Sequence, residues 1–265
     1  MKKIAAFTLV LLSALLCKAS GSPDAIPGDE KKNELDISLE YGTTRLYKGI
    51  KSSSNPYLAP SLLYASKSGF FAGVTSFFPL DSAEIDETDL LVGYDLVSTD
   101  NTTLSLDFTH YIFKNKSLAN AGVKNGMELY LRQNLGNVLK TKLYVDLSFG
   151  KDATDYSVTL DNSHEFAIED AFTDDANLYI TPAFSLTASS LTLVKKVKND
   201  VLNTGFGLTN YDLSLSLDYE IGSFIISPEI VVDFPIEKKL PLLQKKSKGT
   251  ESTTYFTASI TYIID

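Results

Sequence analysis

Carboxylates recurring at even spacings are the side chains of this sequence with the most chemistry to offer. Asp36 and Glu40, Asp89 and Asp95, Asp107, Glu128, Asp146, Asp212 with Asp218 and Glu220, and Glu229 with Asp233 each sit between apolar neighbours, except that Thr88 precedes Asp89. In extended chain such acids share one face. Twelve acids are opposed on these faces by Arg132 and Lys142 alone. If the faces line an enclosed space, its potential is negative and favours cations. Hydrolytic chemistry is thinly represented. His110 is followed two residues later by Ile112 instead of a hydroxyl, and His164 lies in a polar Ser163-His164-Glu165 stretch where such triplets arise by chance. Neither makes a nucleophile-base pair, and no enzyme is expected. One cysteine, two histidines and no HExxH spacing leave no metal or other cofactor expected.

The elements that would position these acids follow from composition. The chain has 265 residues, 44% hydrophobic and 22% charged, with 14 Tyr, 15 Phe and no Trp, which suits one folded domain and excludes disorder. Its 24 basic and 33 acidic residues leave a net charge of −9, the wrong sign for a nucleic-acid partner. Lys2 and Lys3 precede an apolar run from Ile4 to Leu16 and then small residues, the layout of a secretory signal peptide. Residues 1–21 are assigned to it, with cleavage after Gly21 preferred to Ala19, and residues 22–33 to a short periplasmic segment. Cys17, preceded by the large Leu16, is a poor lipidation site and leaves with the signal.

Beyond the signal no apolar run is long enough for a membrane helix. Period-2 alternation appears instead, clearest at Leu213, Leu215, Leu217 and Tyr219 against Asp212, Ser214, Ser216 and Asp218. It predicts about twelve strands: 34–48, 56–67, 69–79, 87–97, 102–113, 125–134, 139–149, 177–188, 190–197, 207–221, 223–234 and 253–264. Lys195, Lys196 and Lys198 interrupt the ninth. Tight turns are expected near 67, 98, 134, 188 and 221, and long polar connections at 49–55, 80–86, 114–124, 150–176, 198–206 and 235–252. Strands of about ten residues with turns short at one end and long at the other predict an all-β, closed antiparallel transmembrane β-barrel over 34–265, with both termini periplasmic. A soluble exported sandwich also alternates, but needs neither strands of this length nor this regularity of turns.

The stretch Tyr47 to Ile50 ahead of Asn55-Pro56, the strand Ser68-Gly69-Phe70-Phe71-Ala72-Gly73 and the acidic strand closing in Gly93-Tyr94 resemble the N-terminal half of the TorF-like outer-membrane porin family. The resemblance covers roughly 41–97; Thr75 and Ser76 stand where the family pattern has Trp. It implies a channel in a Gram-negative outer membrane.

Two connections are strongly charged. Residues 150–176 carry eight acids against Lys151, with 157–168 alternating weakly enough to suggest an outward hairpin; residues 235–252 carry Lys238, Lys239, Lys245, Lys246 and Lys248. Both are expected outside, the lysines toward lipopolysaccharide phosphates. The expected partners are outer-membrane lipids and a small polar solute, and no feature sets the oligomeric state. Three roles remain open: a narrow channel for small polar or cationic solutes, a plugged structural or adhesive barrel working through its outer loops, and a barrel lipid hydrolase. Inside a filled barrel the acids would bond Ser, Thr and Tyr neighbours, and Glu128 would pair with Arg132.

Overall fold

The computed structural model describes residues 33–47, 50–53, 55–82, 84–114, 123–136, 139–150, 154–173, 175–190, 192–195, 200–203, 205–236 and 252–264. The signal peptide, residues 22–32, most of the Lys-rich connection and Lys151–Ala153 lie outside them. Seventeen strands are described, in the order β1 (Glu34–Gly42), β2 (Arg45–Tyr47), β3 (Ile50–Ser53), β4 (Tyr57–Ala65), β5 (Phe70–Pro79), β6 (Glu87–Ser98), β7 (Thr102–Phe113), β8 (Val123–Leu135), β9 (Leu139–Gly150), β10 (Thr154–Ser163), β11 (Phe166–Ile168), β12 (Ala176–Ser189), β13 (Thr192–Lys195), β14 (Asp200–Asn203), β15 (Gly207–Ile221), β16 (Phe224–Pro235) and β17 (Thr253–Ile264).

Twelve of them close into an antiparallel ring, β1-β4-β5-β6-β7-β8-β9-β10-β12-β15-β16-β17, sealed where β17 returns to β1. The terminal strands pair from Leu35↔Ile264 to Gly42↔Thr257, so the first and last strands leave no open edge between them. β2–β3 and β13–β14 are separate hairpins in the connections. β11 continues β10 against β12 in unchanged register, Ser163↔Ala183 and then Phe166↔Ile180. The break between them faces Pro182, which accepts from the His164 N–H at 3.2 Å but has no N–H to return.

The expected closed twelve-stranded barrel is found, with two reassignments. The predicted ninth strand, 190–197, is not in the ring: Thr192–Lys195 pairs instead with Asp200–Asn203. Its place is taken by β10, inside the stretch expected to be an outer acidic loop. Lys195, Lys196 and Lys198 break the two-faced pattern that a ring strand needs. Asp155, Ser157, Thr159 and Asp161 against Tyr156, Val158 and Leu160 make a two-faced strand whose inner side chains are all polar. The loop 150–176 therefore divides, with 151–153 at the end of the long connections and 169–175 at the end of the tight turns. Ser189-Ser190 opens a long connection to Gly207 and is not a tight turn. The first strand stops at Gly42, eight residues after Glu34, because the chain turns into β2–β3.

Outward positions carry the large exposed apolar side chains, including Ile37, Leu39, Leu62, Leu90, Val92, Leu106, Leu160, Leu213, Leu215, Ile230 and Ile260. Aromatic residues bound this aliphatic belt. At the tight-turn end stand Tyr64, Phe70, Tyr94, Phe166, Phe172, Tyr219, Phe224 and Tyr262, with Phe172 packed on Tyr219 and Phe224 on Tyr262. At the other end are Tyr41, Phe78, Phe149, Tyr156, Tyr211, Phe234 and Phe256, with Tyr211 and Phe234 stacked at 4.8 Å. Burial is greatest on the inside and among polar groups, with Asp155 and Asp233 each 2% exposed. Apolar outside and polar inside is the reverse of a water-soluble fold.

Candidate functional site

Strand pairing converts the sequence alternation into rows across the inner wall. One row runs Phe71–Gly93–Asp107–Glu128–Asp146–Ser157–Ser189 over β5, β6, β7, β8, β9, β10 and β12. Three carboxylates stand side by side on adjacent strands, where paired side chains are roughly 5 Å apart and like charges oppose. They border a cavity of about 240 Å³, lined also by Thr109, Tyr111 and Ser148. Gly126 gives Tyr111 its room, since a Cβ there would lie 2.6 Å from the phenol oxygen. Asp146 accepts from Ser157 Oγ at 2.7 Å. Among the described residues no set of three or more His, Cys, Asp or Glu side chains is arranged to hold a metal ion.

A second row runs Thr103–Arg132–Lys142–Asp161–Ser185–Asp212–Asp233. It begins near the tight-turn end of β7 and climbs to the other end on β16. The two bases lie together, and Arg132 Nη2 donates to Thr103 Oγ1 at 2.9 Å, not to Glu128. Asp212 and Asp233, directly opposed, are bridged by Asn210, whose Nδ2 donates to Asp212 at 3.0 Å and to Asp233 at 2.8 Å. Thr209 Oγ1 in turn donates to Asn210 Oδ1, fixing the amide's orientation. Ser185 Oγ also donates to Asp212.

The other acids named from sequence share these inner faces. Ser105 Oγ donates to Asp95 at 2.8 Å, and Tyr57 Oη to Glu40 at 2.6 Å. Asp36 and Asp89 each keep one carboxylate oxygen without a hydrogen-bond partner, as does Asp161. Asp218 and Glu220 lie on β15 opposite Tyr179 and Asn177, and Glu229 on β16 opposite Ser216 and Thr257.

Several inner residues were missed. Asp155 and Asp161 fall in the connection expected outside, although their alternation with Tyr156, Val158 and Leu160 marks a strand. Glu87 begins its strand and is 6% exposed. Arg45 follows β1 and turns back inward: its guanidinium lies 3.8 Å from the Phe77 ring centroid and ion-pairs with Glu87. Tyr57 packs against Phe77 and over Gly42, where any Cβ would collide with its ring. No local pattern marks this group, since its members come from four segments.

His110 sits on the outer face, its Nδ1 2.9 Å from Asn125 Oδ1, with Ile112 two residues on. His164 meets Phe166 edge-on at 4.3 Å between ring centres. At the long-connection end Lys114 Nζ is 2.8 Å from Glu84 and holds its carboxyl below the usual range.

No family model matches the chain, and no curated protein matches it in sequence. In shape it is similar to solved outer-membrane proteins. The KdgM porin is 12% identical, with 86% of this chain and 98% of that one covered, at a TM-score of 0.48. The NanC porin is 11% identical, with 86% and 98% covered, at 0.46. An outer membrane channel from Pseudomonas putida is 11% identical, with 91% and 100% covered, at 0.49. At such scores the fold rests on the strand pairings themselves.

Proposed function

We propose that this protein is a narrow channel of the Gram-negative outer membrane, passing small polar solutes and preferring cations. The observation that carries the reading is the Asp107–Glu128–Asp146 run beside its cavity, three adjacent carboxylates with no base in their row. Such a run repels itself unless cations gather or a carboxyl keeps its proton, and in a low-dielectric wall the charge that remains excludes anions. An aliphatic belt between two aromatic bands supports membrane residence, because Tyr and Phe sit at the two interfaces of spanning barrels. The resemblance of residues 41–97 to TorF-like porins agrees with this reading, which puts the barrel among outer-membrane lipids and lipopolysaccharide.

In planar bilayers with a salt gradient, the purified barrel is expected to conduct with a reversal potential of cation-selective sign. The triple substitution Asp107→Asn, Glu128→Gln and Asp146→Asn should lower that preference. Near 1 M salt, where the screening length is about 3 Å, the wild-type preference should fade. An anion-selective current sinks the proposal. A membrane that stays tight favours a plugged barrel, the second reading, which draws support from the Ser–Asp bonds at Asp95, Asp146 and Asp212.

A further inference from the structure

The Arg45 guanidinium lies over the Phe77 ring at 3.8 Å while pairing with the Glu87 carboxylate, and Tyr57 packs tilted against that ring at 5.8 Å between centroids. The ring and the carboxylate belong to the barrel wall, on β5 and β6; the cation does not. It is carried by β2, a short hairpin strand outside the ring of twelve. An aromatic face beside a buried carboxylate is a site for a planar organic cation, satisfying its charge and its flat surface at once. Asp89, next inward on β6, adds a second carboxylate with one oxygen lacking a hydrogen-bond partner.

We infer that Phe77 and Glu87 form a binding site for guanidinium-type organic cations at the channel mouth, in which Arg45 is a tethered occupant that an incoming solute displaces. A guanidinium from solution makes the contacts that Arg45 makes, so exchange costs the wall nothing. Displacement breaks the contact of Arg45 with the wall, while Thr43 stays bonded to Phe256 on β17. The competition is set by the tether, which holds Arg45 at an effective concentration of order millimolar. The inference deepens the channel reading by naming a solute class, and it rests on that reading for passage only; binding is measured separately.

The test uses methylguanidinium chloride at millimolar concentration, with methylurea as the neutral isostere and potassium chloride as the ionic control. The full-length barrel in detergent is read by the temperature at which its folded gel mobility is lost. Arg45→Ala empties the site, and its methylguanidinium-dependent rise in that temperature should half-saturate at a concentration about tenfold or more below that of the wild type. Adding Glu87→Gln to Arg45→Ala should abolish the rise. If Arg45→Ala does not fold, Arg45→Gln keeps most of the side chain's bulk and carries the same expectation. No rise, an equal rise with methylurea, or a rise that survives Glu87→Gln overturns the inference. Current interruptions by methylguanidinium are recorded in parallel. A thermal response without any conductance retains the site and defeats the channel.

Discussion

Single residues decide how near the inner wall's side chains approach one another. Gly93 lies opposite both Phe71 and Asp107, and Phe71 occupies the space above it. A Cβ at Gly93 would collide with that ring and stand 2.8 Å from the Asp107 Cβ. Gly93→Ala is therefore expected to cost about 1–3 kcal/mol of folding free energy, the usual penalty for overfilling a packed site. Unfolding of the barrel in vesicles by urea, followed by circular dichroism, measures it, and Phe71→Ala in the same chain should recover much of the loss. A neutral Gly93→Ala would mean that Phe71 is not held across the wall. Asn210 acts at the same scale in another way: with Thr209 fixing its carbonyl, its amide presents two N–H groups to two opposed carboxylates that would otherwise repel.

At the scale of elements, β10 and the β13–β14 hairpin exchange the roles that local pattern suggested. Two sides of the molecule are thereby reassigned: 190–206 belongs with the long connections and 169–175 with the tight turns. An epitope inserted at Gly205-Phe206 should be bound by antibody on intact cells, whereas one inserted at Asp170-Ala171 should be reached only after the outer membrane is opened. The opposite pattern would contradict the pairing of β10 with both β9 and β12. Eleven of the twelve ring strands were legible in sequence because each carries an apolar face long enough to alternate. Leu213, Leu215 and Leu217 leave no doubt, whereas β10 presents Tyr156, Val158 and Leu160 amid acids and reads as loop. The acids on the other strands were legible from parity alone. The Arg45–Phe77–Glu87 group was not, because ring closure and a chain reversal after Gly42 bring it together, and neither leaves a local period.

For the whole molecule, the distribution of polarity discriminates a spanning barrel from a two-sided soluble shell. Leu106, Leu147, Leu215 and Ile230 point outward on four strands, between the aromatic bands, and Ser105 and Ser216 point inward at neighbouring positions. If lipid covers the outer face, arginine at any of the four must bring its charge into hydrocarbon or deform the bilayer around it. The cost is about 2–4 kcal/mol near the midplane and falls toward the interfaces. Arginine at Ser105 meets Asp95, which already accepts a hydrogen bond there, and Ser216 lies opposite Glu229; both replacements put a cation among carboxylates. Urea unfolding in vesicles should therefore show a large loss for Leu106→Arg, Leu147→Arg, Leu215→Arg and Ile230→Arg, and a smaller one for the half-buried Ser216→Arg. Ser105→Arg, at a 6% exposed site, adds an overfilling cost that does not depend on lipid. Thinner bilayers should reduce the outer penalties and leave the inner ones unchanged, because only the outer side chains are solvated by lipid. Equal losses on both faces, insensitive to bilayer thickness, would mean that the outer belt is covered by protein and that the ring does not cross a membrane.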